Sequence, residues 1–277
     1  LNTINIDNRD FSWTTDLTFS FYRDRWEERA ENWTPSVYSR YKGAVRPLEG
    51  YFLTDGLVQP GEEIPSMPGA IPGQIKIRDI NGYVFNADGT YKTDEHGIPV
   101  LTGQPDGKID DADRVYMGSR DPGFIMGFNN TLRYKNFDFN IYFYGHFNQW
   151  TTGAYRDLWI QNAYIVDENK NVPVSIEEMW STDNPDGWRP GFAQSSNSIH
   201  MGSTDFYLKK CWFIRCRNIT LGYSIPVKKG ISKLRVYADV NNPFMLTNYK
   251  GLDMETDDSA YAIPNVRSFN FGVEISF

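Results

Sequence analysis

The strongest constraint on this chain is a two-residue alternation of apolar and polar side chains that runs over unusually long segments. Across 10–22, Phe11, Trp13, Leu17, Phe19 and Phe21 fall on one parity, with Thr15 among them; Ser12, Thr14, Asp16, Thr18 and Ser20 fall on the other. Successive side chains of a strand point to opposite faces, so such a segment has one apolar and one polar face. The pattern returns as Phe124, Met126, Phe128 and Leu132, and after a short turn at 134–136 as Phe137, Phe139, Ile141 and Phe143. It returns again as Ile219, Leu221, Tyr223 and Ile225, and after a turn at 227–232 as Leu234, Val236, Ala238 and Val240. The last segment, 265–277, carries Phe269, Phe271, Val273, Ile275 and Phe277 on one parity.

An apolar face on an antiparallel strand meets either a core or lipid, and periodicity does not distinguish the two. Three other features do. The segments reach about 10 residues or more, the length a tilted membrane strand needs and longer than the usual 5–6. Aromatic residues gather at segment ends, as interfacial girdles do. Connections alternate between tight turns at 134–136 and 227–232 and long loops at 25–122, 147–206 and 248–264. Outer-membrane barrels alternate in this way between periplasmic turns and extracellular loops. The expected fold is therefore all-β: an antiparallel transmembrane β-barrel segment with long extracellular loops. A soluble sandwich is the plain alternative.

Composition supports the narrowing. With 16% aromatic residues the chain is not disordered. No uncharged apolar run approaches the ~18 residues of a spanning helix. A net charge of −7 disfavours sequence-blind nucleic-acid binding, so no nucleic-acid partner is expected. Two Cys exclude a disulfide framework. Cys211 and Cys216 are an odd five positions apart, so in a strand they face opposite ways and do not pair. The opening LNTINIDNRD shows no Met, charged n-region or apolar h-region, as in a mature or cut chain.

Within loop 25–122, Asp106-Gly-Lys-Ile-Asp110-x-x-Asp113 matches the second half of a calcium loop. Asp106 is position 5, the Lys108 carbonyl position 7, Asp110 position 9, and Asp113 closes the site. Asp79 and Asn81 supply positions 1 and 3, so 83–105 reads as an insertion inside the loop. Hard oxygen ligands suit Ca²⁺, which would stiffen an external loop. The plain alternative is an Asp-Gly surface turn.

No catalytic constellation stands out. His96, His146 and His200 share no ligand spacing and read as loop or strand-end residues; there is no P-loop or dinucleotide fingerprint. Carboxylate pairs for glycoside hydrolysis sit in no recognisable frame, so the chain is not expected to be an enzyme. The long loops hold aromatics, Trp150, Trp159, Trp180, Trp188 and Trp212 with Tyr155, Tyr164 and Tyr207. Of these, Trp150, Trp159 and Trp188 are candidates for stacking on cargo, against a plain packing or interfacial role. A short helix from Ile176 and a turn at 184–188 are also expected.

Four segments resemble the C-terminal part of SusC/RagA-like TonB-dependent outer-membrane transporters of Bacteroidetes. They are 73–82 with 106–114; 118–124 leading into 127–130 and 134–138; 213–223; and 234–244 with 248–251 and the terminal strand. The resemblance covers nearly the whole chain, in the family's order. It implies a plugged 22-stranded barrel in the outer membrane that imports a bulky nutrient, a glycan or peptide. It also implies a SusD-like surface lipoprotein as lid and energy from TonB–ExbB–ExbD. The final aromatic, Phe277, resembles the signal that the barrel-assembly machinery reads. The chain departs from a full member in showing no plug, no TonB box and only about seven strand candidates. About seven strands cannot close such a barrel, and open edges are not tolerated in hydrocarbon. The remaining strands and plug are expected from another chain or from the rest of the same protein. A soluble glycan-binding β-domain and a passive porin-like barrel are the rival functions.

Overall fold

A computed structural model describes residues 1–23, 50–95, 97–117, 120–151, 174–191, 203–227, 230–251, 253–256 and 263–277. Trp159, His96, His200, Tyr155 and Tyr164 lie outside the described residues.

Seven strands form one antiparallel sheet in the order β1 (Asn2–Asp7), β2 (Phe11–Ser20), β7 (Phe124–Tyr134), β8 (Phe137–Thr151), β9 (Lys209–Ser224), β10 (Lys233–Thr247) and β11 (Ser268–Ser276). Every large-sheet neighbour is also the next large-sheet strand along the chain, as in an up-and-down barrel wall. Between β2 and β7 lie the short strands β3 (Tyr51–Phe52), β4 (Thr54–Leu57), β5 (Ile75–Ile77) and β6 (Arg114–Val115), which pair β3 with β6 and β4 with β5. Within the second long loop Val174–Glu178 forms a 3-10 turn.

The register puts the apolar parities of the six strands β2 and β7 to β11 on one side. Leu17 faces Phe128, which faces Phe143; Phe139 faces Leu221, Leu221 faces Ala238, and Ala238 faces Phe271. Among the described residues this face has no partner layer, and Phe271 is 82% exposed. It is bounded by two aromatic rows. One runs Phe19, Phe124, Phe147, Trp212, with successive ring centroids 5.4, 4.6 and 6.5 Å apart. The other follows the register Phe11, Tyr134, Phe137, Tyr223, and ends in a 4.6 Å contact between the last two. Ten steps separate Phe124 from Tyr134. At about 3.4 Å per residue and a tilt of about 40°, the band between the rows is about 26 Å tall, the height of an outer-membrane apolar belt. The sheet is an antiparallel transmembrane β-barrel segment.

One polar spot interrupts the apolar face. Asn130, only 7% exposed, accepts 2.8 Å hydrogen bonds from the Trp13 indole N–H and the Thr15 hydroxyl. Paired within the sheet, these groups avoid the penalty of an unsatisfied polar atom in hydrocarbon.

The apolar core lies elsewhere, among the long connections. Leu57, Ile75, Trp180 and Tyr207 form one buried cluster; Tyr51 and Leu208, with Met117 and Trp150, form a second; Cys211, Phe213 and Met254 form a third. The loop end is thus a packed layer, while the strands between the aromatic rows are apolar outward and polar inward.

Several expectations need correction. β1 was not recognised, because Thr3 and Asn5 blur its alternation and a bulge lies between Ile4 and Ile6. The second loop begins later than 147: β8 runs to Thr151 and β9 starts at Lys209, so Trp150 and Trp212 belong to strands. His146 sits well inside β8, beside Tyr144 and Gln149, not at a strand end. The two cysteines form no disulfide and are buried, Cys211 against Phe213 and Met254, and Cys216 opposite Phe143 on the other face.

Candidate functional site

The acidic loop folds as a unit despite its insertion. Asp79 accepts from the backbone N–H of Asp106 at 3.1 Å and of Gly107 at 2.7 Å, so positions 1, 5 and 6 of the motif meet across sequence separations of 27 and 28. The halves pack tightly: a Cβ on Gly82 would lie 2.7 Å from the Cβ of Asp106. Asp106 accepts from the Lys108 N–H, and Asp110 caps a short 3-10 turn, Asp111–Asp113, by accepting from Ala112. Asp113 is fully buried and accepts three backbone N–H groups: Ile80 at 2.8 Å, Asn81 at 3.1 Å and Asp110 at 2.9 Å. A carboxylate offers about four acceptor positions, so Asp113 keeps about one for an ion. Among the described residues, no group of three or more His, Cys, Asp or Glu side chains is arranged to hold a metal ion.

The insertion itself is ordered, with bridges Tyr83–Leu101, Phe85–Tyr91 and Thr93–Pro99. Tyr83 and Tyr91 rings are 4.5 Å apart. Burial, then the Asp110 and Asp111 charges, push the Tyr83 hydroxyl up to about 12.

The aromatic candidates separate. Trp150 packs on the Tyr51 and Leu208 core. Trp188 is 44% exposed, stacks on Phe206 at 6.2 Å, and carries the Arg189 guanidinium 4.7 Å from its ring centre. Arg189 pairs with Glu178 at 2.7 Å, a hydrogen bond that holds the Glu178 carboxyl below its usual range.

The polar face of the sheet carries chemistry that motif reading passed over. Asn140 donates to Asn129 and Thr131; Thr220 donates to Asp239; Asn218 donates to Asn241. Near the tight-turn end, Arg235 of β10 clasps Asp138 of β8 through Nε at 2.9 Å and Nη2 at 2.5 Å, passing over β9. It crosses at Gly222, where an added Cβ would come within 2.5 Å of both partners. Near the loop end, buried Arg215 of β9 pairs with Asp253 at 2.5 Å and with Glu255, which also holds Arg217 at 2.8 Å. Asp253 further accepts from the backbone N–H groups of Glu255 and Asn265, and from the Asn265 side chain. These contacts tie the β10–β11 connection to the polar face. The available signal was charge on the polar parity of a strand; the partners are 38 and 97 positions away in sequence and invisible to a motif.

No family model matches the chain. Among curated proteins it is 27% identical, over 316 aligned positions and its full length, to TonB-dependent receptor P3 of Formosa agariphila. It is 30% identical over 219 positions, 71% of its length, to TonB-dependent receptor SusC of Bacteroides thetaiotaomicron. These alignments cover 28% and 20% of those proteins, so the chain spans less than a third of the relatives it matches. Among solved structures, it aligns in full with 28% of a chain in the RagAB peptide transporter, at a TM-score of 0.67 and 18% identity. A closed-closed state of the RagAB peptide importer aligns at 0.60 and 18%.

Proposed function

Because this chain is a C-terminal barrel segment of the SusC/RagA-like TonB-dependent receptor type, we propose that it forms part of the wall of an outer-membrane nutrient importer. In this reading the receptor takes up a glycan or a peptide together with a SusD-like surface lipoprotein, driven by TonB–ExbB–ExbD. The observation that carries it is the open seven-stranded sheet with an uncovered apolar belt between aromatic rows. Such a sheet needs lipid on one face and further strands at both edges. The remaining strands and the plug complete it, and the exposed Trp188 platform faces cargo or lid.

The test is made on the intact receptor in its own cell. Growth on candidate glycans and peptides is compared with and without the receptor, and with and without TonB. Loss of growth on one cargo class in both deletions, with the lipoprotein co-purifying, supports the reading. Uptake that persists without TonB assigns a passive pore. Recovery in the soluble fraction without detergent assigns a soluble domain.

The same reading includes a Ca²⁺ ion that would draw together Asp79, Asn81, Asp106, the Lys108 carbonyl, Asp110 and the remaining position of Asp113, whose carboxylates otherwise accept backbone N–H groups of the loop and are not arranged as a cage. It is supported by the way Asp79 draws Asp106 and Gly107 onto itself. Its ligand set draws on an amide and a carbonyl as well as acids, as calcium loops do. Added Ca²⁺ should slow proteolysis within 79–113 and EGTA should reverse the effect. Equal cleavage under both conditions would leave the backbone hydrogen bonds as the loop's whole support.

A further inference from the structure

A concavity of about 300 Å³ opens in the first long loop, where the segment between β4 and β5 meets the acidic loop. Met67, Ala70, Ile77 and Ile109 give it apolar walls, and Ser66 and Gln74 are its polar side chains. Among the described residues no charged side chain lines it. Two turns build it. Ala70 donates its N–H to the Met67 carbonyl, with Gly69 at φ 78° between them. Gln74 donates its N–H to the Ile71 carbonyl across Pro72-Gly73, and Gly73 has φ 83°. A Pro followed by a left-handed Gly is the pattern of a type II turn. Met67 is pinned in place, because its sulfur accepts the Ile77 N–H at 3.3 Å.

Gln74 gives this hollow its chemistry. The residue is only 7% exposed. Its backbone N–H is used in the turn, and its carbonyl accepts from Val58 at 2.7 Å. Its side-chain Oε1 accepts the Ile71 N–H at 3.1 Å, which fixes which end of the amide is oxygen. The two N–H groups of Nε2 find no hydrogen-bond partner among the described residues. Nε2 is not sealed in by protein, and Gln74 lines the hollow, so these donors face it. Buried amides are nearly always matched, and an unmatched donor turned into a concavity points to a ligand that accepts.

A group that fits here is neutral, since no charge lines the site. It offers a carbonyl oxygen to Nε2 and sets a small alkyl group against Met67 and Ile109. An acetamido group joins these properties in one unit, and its N–H can donate to the Ser66 hydroxyl. A peptide backbone repeats donors and acceptors along its length and is usually met by a strand edge, whereas this hollow offers one amide and one hydroxyl. Its volume lies at the lower end of ligand pockets and suits a single sugar ring better than a chain. We propose that the hollow binds the N-acetyl group of an amino sugar, with Gln74 as the hydrogen-bond donor. This deepens the importer reading above by naming a glycan class, and rests on it.

The experiment uses the intact receptor in detergent, with N-acetylglucosamine as probe and glucose and N-acetylalanine methylamide as comparisons. Saturation-transfer NMR reads which ligand protons touch the protein. The acetyl methyl of N-acetylglucosamine should saturate more strongly than its ring protons, and glucose should give no comparable signal. Gln74→Glu keeps the oxygen that Ile71 uses and removes the donors, and should weaken binding several-fold. Ala70→Leu fills the hollow from the other turn, leaves Gln74 in place, and should weaken binding as well. Heat-modifiable gel mobility shows that each variant is folded; if Gln74→Glu does not fold, Ala70→Leu carries the test. Equal saturation of methyl and ring protons, or unchanged binding in the folded variants, overturns the site. Stronger saturation of N-acetylalanine methylamide than of the sugar overturns the amino-sugar assignment and gives the hollow to peptide. Binding of the acetyl group by a receptor whose deletion leaves growth on such glycans unchanged supports the hollow and overturns the importer reading instead.

Discussion

Single residues carry the polar face. Arg215 is the clearest case, since it and Asp253 are buried and it pairs with both Asp253 and Glu255. Arg215→Met leaves the buried Asp253 carboxylate without its cation and Glu255 with Arg217 alone, a loss of about 3–5 kcal/mol for a broken buried pair of this kind. The expected result is rapid cleavage of the β10–β11 connection by protease under conditions where the wild type resists. The pH dependence has a definite sign. Burial pushes the Asp253 carboxyl up, but the N–H groups of Asn265 and Glu255 and the Arg215 charge outweigh it, and the net displacement is downward. A depressed carboxylate contributes stability above its unfolded value and loses it as pH falls through the folded one. Protection of this connection should therefore be flat from pH 7 to about 5 and fail only below about 4. Gly222 is the second case. Gly222→Ala places a methyl where Arg235 and Asp138 meet, and overpacking of this kind costs about 1–3 kcal/mol. Urea unfolding in detergent should show that loss, and Asp138→Ala should remove most of the difference between Gly and Ala.

At the scale of the strand, which face a residue occupies decides what a substitution does. Phe128 and Asn129 are neighbours on β7, but Phe128 points to the apolar belt near its middle and Asn129 to the polar ladder. Phe128→Arg should cost about 2–4 kcal/mol, as a cation does at the lipid midplane, whereas Asn129→Arg should cost far less. Equal losses for the two, read from unfolding in lipid vesicles, would reverse the assignment of faces. The terminal strand β11 makes its own prediction. Phe277 is 91% exposed and follows a strand whose outer edge is unpaired among the described residues. An unpaired edge with an apolar anchor invites strand addition, the step by which a barrel is closed. Deleting Phe277 should lower the amount of assembled receptor without changing the cargo affinity of the molecules that do assemble. Normal assembly would leave Phe277 as one more interfacial aromatic.

At the scale of the molecule, the two ends differ in kind. One end has the short connections, between Tyr134 and Phe137 and between β9 and β10; the other holds three buried clusters and the β3–β6 strands. Loops that pack their own core are built to stand outside the bilayer. In whole cells, a protease site engineered at Gly61 should be cut, and one at Gly230 should be cut only after the outer membrane is opened. The opposite pattern would invert the orientation. Both glycines have a left-handed φ, 78° and 80°, at turns where an added Cβ meets nothing, so both sites tolerate insertion.

How much of this was legible in the sequence follows from which interactions are local. Alternation with period two is local, so the six strands with clean parity, the facing of Phe128 and Leu221, the opposed cysteines and the barrel class could all be read from the chain. The Asp79–Asp113 loop was legible as a spacing, even across its insertion. β1 was not, because Thr3 and Asn5 obscure its parity, and neither were the full lengths of β8, β9 and β10, whose ends pack against loops. Tertiary structure alone decided the rest. Where the buried core gathers was not legible in the alternation: it lies in the loop layer and leaves the apolar belt bare. The Arg235–Asp138 clasp and the Arg215 network unite residues on non-consecutive strands or distant loops. Charge pairing depends on distance in space, and only the folded register brings those charges within reach.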